Sequence, residues 1–244
     1  MTTRAHYESL LAEHYTWMFG VPFAQKVAEQ RELLEQLGAL PAGRGLALDL
    51  GAGSGFQAVA LAELGFQRVV AVDLSPSLLA ELSDRKEQHS IEVVEADMID
   101  YLAGCAAGTA DMIVCMGDTL THLESKANVT RMFVLAQSVL KPGGSLVLTY
   151  RDLSAELTGA DRFIQVAADE HRILTCFLEY AADAVVVHDL LHERKNGSWG
   201  LRKSAYPKLR LGQEWVAAAL RNAKFTSVEP GPAGRLTGVV ARKE

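Results

Sequence analysis

The segment Asp49-Leu50-Gly51-Ala52-Gly53-Ser54-Gly55 sets three glycines at alternate positions behind an acidic residue. Glycines at 51, 53 and 55 let the chain turn sharply and let a ligand approach the backbone where any Cβ would collide. Such a run also serves tight turns that bind nothing, so its setting has to narrow its meaning. Asp73 stands eighteen residues beyond Gly55 at the end of an apolar run. There its carboxylate can accept from both ribose hydroxyls of an adenosine-containing cofactor; the alternative is capping of the helix that begins near Pro76. Asp97, in Val94-Glu95-Ala96-Asp97-Met98, follows a third apolar run. It is placed either to accept from an adenine amino group while Met98 covers the ring, or to be a solvated loop carboxylate. The same turn and acid would fit a nicotinamide-dependent oxidoreductase. Asp49, however, sits poorly against a pyrophosphate and suits a cationic amine.

A second set of polar residues follows the fourth apolar run, in Cys115-Met116-Gly117-Asp118-Thr119-Leu120-Thr121-His122-Leu123. Ligands in open α/β sheets bind beyond the carboxyl ends of the strands, so this segment should face the reaction. Asp118 and His122 are the candidates to deprotonate an ammonium or polarise a hydroxyl. His122 has alternatives in capping the next helix or sitting in the core. No Asn-Pro-Pro-Tyr run is present to hold a flipped nucleobase. His188, Asp189, His192 and Glu193 invite a metal reading, but alternation along a strand puts the two histidines on one face and the two acids on the other. A solvated strand face, with no metal site, is expected.

These residues need elements to hold them. Leu46 to Leu50 is apolar and too short for a helix, and the helical pattern Phe56 to Leu64 follows the glycines. The alternation repeats, with strands near Arg68 to Val72, Ile91 to Val94, Met112 to Met116 and Ser145 to Tyr150. Helices are expected near Pro76 to Gln88 and Ala127 to Leu140. It predicts an α/β fold, a mostly parallel sheet with helices on both faces. Leu140-Lys141-Pro142-Gly143-Gly144 should be a tight turn feeding the fifth strand. Residues 1–40 read as leading helices broken at Gly20-Val21-Pro22, residues 41–150 as the binding core, and residues 151–210 as an antiparallel insertion. The insertion's three strands are Arg172 to Tyr180, Ala184 to Glu193 and Trp199 to Leu209, with a turn at Asn196-Gly197. In residues 211–244 a helix from Gln213 to Ala223 precedes two closing strands, Thr226 to Glu229 and Leu236 to Ala241, separated by a Gly/Pro loop. The whole is expected to be one domain.

The four motifs in this order resemble those of the class I S-adenosylmethionine-dependent methyltransferases. That family has an acidic-x-Gly-x-Gly-x-Gly turn, an acid ending strand two, an Asp after strand three and a Leu-x-Pro-Gly-Gly turn before strand five. The resemblance spans Leu46 to Tyr150 at motif level. It implies a Rossmann-like, seven-stranded, mostly parallel sheet whose last strand is inserted antiparallel, with S-adenosylmethionine as cofactor. The cofactor-contacting set it implies is Asp49, Gly51, Ala52, Gly53, Gly55, Asp73, Leu74, Asp97, Met98, Met116 and Gly117.

The segment after strand four is also similar to the Gly-Asn-Ser-Phe-Ala-His-Leu run of the glycine and sarcosine N-methyltransferases, with Gly117, His122 and Leu123 matching. Asp118 stands where that family has Asn, an anion in place of an amide, better matched to a cationic amine or a hydroxyl donor. In that family an Arg after strand five receives a substrate carboxylate, which would be Arg151 here; pairing with Asp152 or with an acid of the insertion is the alternative. Tyr15, with Trp17 and Phe19, matches a leading segment that closes over the cofactor, or else is core packing. The resemblance implies methylation of a small amine or amino acid nitrogen, with a small-molecule O-methyltransferase as the alternative.

Composition sets outer bounds. The 244 residues are 49% hydrophobic and 22% charged with a formal charge of −6, a globular chain without the basic footprint of a nucleic-acid binder. The three cysteines, 105, 115 and 176, are widely spaced and suggest buried thiols rather than disulfides or a zinc knuckle. With no signal-like or membrane-spanning run, a cytoplasmic protein acting on a small molecule is expected.

Overall fold

The computed structural model describes residues 3–86 and 89–244. Seven strands form the main sheet in the order β10-β11-β5-β4-β1-β2-β3. They are β1 (Leu46–Leu50), β2 (Arg68–Asp73), β3 (Ile91–Glu95), β4 (Ala110–Cys115), β5 (Leu140–Tyr150), β10 (Ser227–Ala233) and β11 (Leu236–Arg242). The first five pair parallel, and β11 runs antiparallel between β5 and β10. β1 and β4 are buried on both faces because helices cover both. The helices in chain order are α1 (Thr3–His6), α2 (Phe23–Gln36), α3 (Phe56–Glu63), α4 (Pro76–Arg85), α5 (Met98–Gly104), α6 (Lys126–Val139) and α7 (Gln213–Asn222).

One apolar cluster joins α5, α6 and α7 to one face of the sheet through Phe133, Leu148 and Leu220; the other joins α2 and α3 to the opposite face through Leu34, Phe56 and Val114. Strand order reverses between β1 and β4, so the loops after these two strands part and open a crevice. The glycine turn follows β1 and Gly117-Asp118 follows β4.

The insertion is a separate four-stranded antiparallel sheet, β6 (Phe163–Ala168), β7 (Arg172–Tyr180), β8 (Ala184–Lys195) and β9 (Ser198–Leu209). It holds one strand more than the sequence pattern indicates. β6 is an edge strand with a register shift and no buried residue, so it lacks the apolar alternation by which strands are read. The segment Pro230-Gly231-Pro232 is likewise strand, not loop. As part of edge strand β10 it can dispense with the N–H groups that proline lacks. α5, unmarked by a periodic pattern, exists because Asp97 caps it. The expected end of α4 at Gln88 lies outside the described residues. Leu140 to Gly144 opens β5, but only Leu140 pairs there with β4 before the register shifts to Ser145, and Gly143, at φ 78, donates its N–H to the Lys243 carbonyl at 2.7 Å. Before α2, residues 7–19 form a chain of π and 3-10 turns that Gly20 terminates at φ 68. α2 itself packs on α3 as part of the body. Cys115 and Cys176 are buried and Cys105 is half-buried, all three as free thiols.

Candidate active site

Three left-handed glycines, φ 76, 52 and 94 at positions 51, 53 and 55, shape the turn between β1 and α3. A Cβ on Gly51 would collide with the Thr119 side chain, so the loops after β1 and β4 interlock. The N–H groups of Gly51 and Ala52 both donate to the Val72 carbonyl (2.8 and 3.0 Å), and that of Gly53 donates to Asp73 Oδ2 (2.8 Å). Asp73 Oδ1 accepts from the Ser75 N–H at 2.8 Å. With these donors spent internally, the turn is not the anion cradle that a pyrophosphate requires.

What it offers instead is acid. Asp49 is 1% exposed and its Oδ2 has no hydrogen-bond partner. Burial, and then the neighbouring Asp73, push its carboxyl up to about 8. Burial also raises Asp73, against the hydrogen bonds from Ser75 and Gly53. An unpartnered buried carboxyl asks for a donor, and a cationic amine answers it. Asp97 Oδ1 accepts from the Ile99 and Asp100 N–H groups (2.8 and 3.2 Å), which fixes the carboxylate by capping α5.

A cavity of about 790 Å³ lies against Asp73 and Asp97, with Asp49 buried outside its lining. Gly51, Gly53, Asp73, Leu74, Asp97 and Met98 line one wall; Gly117, His122 and Lys208 line the other, with Tyr7 and Tyr15 also present. Tyr15 lies against Gly53, where an added Cβ would sit 3.3 Å from its ring.

The second wall is built around Asp118, whose left-handed φ of 81 is unusual for a residue with a Cβ. Its carboxylate holds that loop in place. Oδ1 accepts from the Arg151 N–H (2.9 Å) and the Thr121 hydroxyl (3.0 Å), and Oδ2 accepts from Lys208 Nζ at 2.5 Å. Burial works to raise the Asp118 carboxyl, but the charge of Lys208, the neighbouring His122 and the hydrogen bonds hold it below its usual value. Burial likewise disfavours the Lys208 ammonium, yet Asp118 keeps it above its usual value. Both partners stay charged.

His122 is the opposite case. Burial first, and then Lys208, push it down to about 3, so the ring is neutral, and its Nδ1 is buried without a partner. The ring stacks on Tyr206 (5.4 Å, 7°), which stacks on His6 (4.1 Å, 27°). His6, fully buried, bonds Asp189 (2.9 Å) and Ser204 (2.7 Å) on the insertion sheet. The N-terminal segment thereby bridges two bodies: Arg202 donates to the Ser9 carbonyl at 2.7 Å, while Glu8 accepts from Ser77 Oγ (2.7 Å) and Ser75 on the main body.

Ala52 and Met116 (each 2% exposed) pack in the core behind the turn, and a Cβ on Gly55 would collide with Leu82; these three shape the turn without lining the cavity. Arg151 also stands outside the lining. Its side chain is 44% exposed with Nε 3.9 Å from Asp118 Oδ2. Asp118, tied to Lys208, is not the free anion that its type alone suggests. His188 faces outward and pairs with Glu179 (2.9 Å), while Asp189 faces inward; no group of three metal-ligating residues occurs among the described residues.

Lys208, Tyr206 and His6 carry the second wall and no motif marks them. A signal did exist for Lys208. The Asn196-Gly197 turn sets the β8–β9 register, which places Lys208 opposite Val185 and Tyr206 opposite Val187. An ammonium on the apolar face of a sheet needs a buried partner.

Comparison with known proteins adds three findings. Residues 47–144 match the family model described as a methyltransferase domain. A glycine/sarcosine N-methyltransferase of Halorhodospira halochloris is 35% identical over 107 residues, 43% of this chain and 39% of that protein. A glycine/sarcosine/dimethylglycine N-methyltransferase of Actinopolyspora halophila is 34% identical over 45% of this chain and 20% of its own length. The chain thus spans well under half the length of these curated relatives. Among solved structures, Streptomyces venezuelae DesVI superposes with TM-score 0.74 at 16% identity over 97% of this chain and 98% of its own. CalS10, an amino pentose methyltransferase from Micromonospora echinaspora, gives 0.73 at 18% identity over 95% and 96%. At such identity these likenesses speak for the fold, which is that of the class I methyltransferases. No helix among the described residues is long and apolar enough to cross a membrane.

Proposed function

We propose that this chain, whose residues 47–144 match the methyltransferase domain model, methylates the nitrogen of a small-molecule amine or amino acid, with S-adenosylmethionine as donor. The observation that carries the proposal is that one cavity joins Asp73 and Asp97, beside the glycine turn, to His122 and Lys208. Bound S-adenosylmethionine supplies a methyl group on a cationic sulfur, open to in-line displacement by a nucleophile.

The residues of the chain supply position. Asp73 and Asp97, each held by backbone N–H groups, keep lone pairs for ribose and adenine donors. Asp49 holds an oxygen for the methionyl amine. Tyr15 and Tyr7 help to exclude water from the reacting groups. His122, neutral at any physiological pH, orients a nucleophile by accepting its hydrogen bond, and the Tyr206 stack holds the ring.

Neither His122 nor Asp118 retains a proton near neutrality, so neither is a strong general base. That favours an amine, which attacks with its own lone pair once deprotonated, over a hydroxyl, which needs a base. Arg151, the carboxylate receiver that the sequence resemblance implies, stands with its guanidinium beside Asp118 and outside the cavity lining. The purified chain should bind S-adenosylmethionine and form S-adenosylhomocysteine with primary or secondary amines in a panel that also holds phenols. Turnover of phenols alone overturns the nitrogen assignment. Stabilisation by NAD and not by S-adenosylmethionine overturns the reading as a whole.

A further inference from the structure

Lys208 is an ammonium placed where burial opposes it, with a side chain only 12% exposed and facing the cavity. A lysine has three N–H donors. One is taken by Asp118 Oδ2, and no other acceptor among the described residues bonds to Nζ. Around it stand rings: Tyr206, whose centroid is 5.7 Å from Nζ, and the neutral His122 stacked on Tyr206. Asp118 does not reach the cavity except through Lys208, since its side chain is 9% exposed and outside the lining. Asp118 and Lys208 cancel in charge, and the Arg151 guanidinium stands 3.9 Å from Asp118 as a second cation beside the pair.

We infer that Lys208 receives the carboxylate of the methyl acceptor through its two unspent N–H donors, and that Asp118 is its counter-ion. This assigns the carboxylate contact to a residue of the insertion sheet in place of Arg151, and makes the acceptor a carboxylated amine whose nitrogen lies toward His122. An anion here completes an alternation of charge, Asp118 to Lys208 to carboxylate, in a site where an unpaired ammonium donor is costly. The inference rests on the methyl-transfer reading for its substrate, but not for its binding site.

The test separates the two. The chain saturated with S-adenosylhomocysteine is titrated with sodium acetate, a bare carboxylate, while the His122 ring proton resonances are followed. A saturable shift is expected in the wild type, weakened at least tenfold in Asp118→Asn/Lys208→Met, which removes both charges and leaves neither unpaired. In steady state, the preference for sarcosine over sarcosinamide in kcat/KM should fall at least thirtyfold in the same double variant. An unchanged preference would assign the pair a purely structural role and overturn the inference. A wild type that methylates amines without a saturable acetate shift overturns it too, leaving methyl transfer intact. If no amine is methylated, the reading of the reaction fails, and the acetate titration still decides whether Lys208 is a carboxylate site.

Discussion

On the cavity wall beside the glycine turn two carboxylates are held by nearby backbone: Asp73 by the N–H groups of Ser75 and Gly53, Asp97 by those of Ile99 and Asp100. On the acceptor wall the partners come from distant parts of the chain. Lys208 and Asp118 are 90 residues apart, His6 and Asp189 183, and His6 and Ser204 198. Backbone N–H groups are present whatever the side chains are, so the first wall survives sequence change nearly anywhere else. The second depends on both members of each pair. One wall can therefore be kept while the other is altered.

The sharpest way to break that contrast is Lys208→Met, which takes from the buried Asp118 its closest cation. A loss of about 3–5 kcal/mol is expected in denaturant unfolding, with Asp118→Asn/Lys208→Met recovering most of it. A loss under about 1 kcal/mol would mean that this pair does not hold the wall. The pair has a pH signature. Asp118 lies below and Lys208 above its ordinary value, so its contribution is fully present between those ordinary values, 3.8 and 10.5. It is lost as pH falls through the folded value of Asp118 or rises through that of Lys208.

Next in size, Asp73→Ala should weaken S-adenosylmethionine binding by about 10–100-fold, roughly 1.4–2.7 kcal/mol, as measured by calorimetry. Undiminished affinity removes Asp73 from the cofactor contacts.

Asp49 supplies a pH test of opposite sign to the pair. Its carboxyl, at about 8 in the folded chain against 3.8 ordinarily, binds more protons folded than unfolded between those values. Stability from this group therefore falls as pH rises through the window and levels off above 8. A cationic amine favours the carboxylate, so cofactor binding below pH 8 should release a proton. Affinity should then weaken by up to about tenfold for each pH unit of descent. Asp49→Asn should flatten both slopes; calorimetry in buffers of different ionisation enthalpy measures the proton.

The smallest effect belongs to His188→Ala. Its partner Glu179 is 61% exposed, and a change within about 0.5 kcal/mol in thermal or denaturant unfolding is expected. A large loss would give the outer face of the insertion a role that its geometry does not suggest.

The glycine turn, Asp73, Asp97 and the strands of the parallel sheet were legible because each is a local pattern: short apolar runs, glycines where φ must be positive, acids at strand ends. β6 was not, since an edge strand with no buried residue has nothing to bury and so no alternation to display. α5 was hidden because a seven-residue helix is too short for a periodic signal. Asp118 was visible as an acid in the right loop, but its type suggested a free anion, and only the pairing with Lys208 shows it neutralised. Tyr15 lines the cavity, whereas Met116 faces the core, a distinction that tertiary packing sets.

The sequence by itself determined a parallel α/β sheet with an acid-flanked glycine turn at the end of its first strand, because local spacing dictates strand, turn and helix without knowledge of any distant partner. Only the tertiary structure decided which residues meet across the cavity from that turn. The contacts of His6, Asp118, His122, Tyr206 and Lys208 are side-chain contacts over long loops, and their proximity exists only once the insertion sheet and the N-terminal segment have folded against the main body.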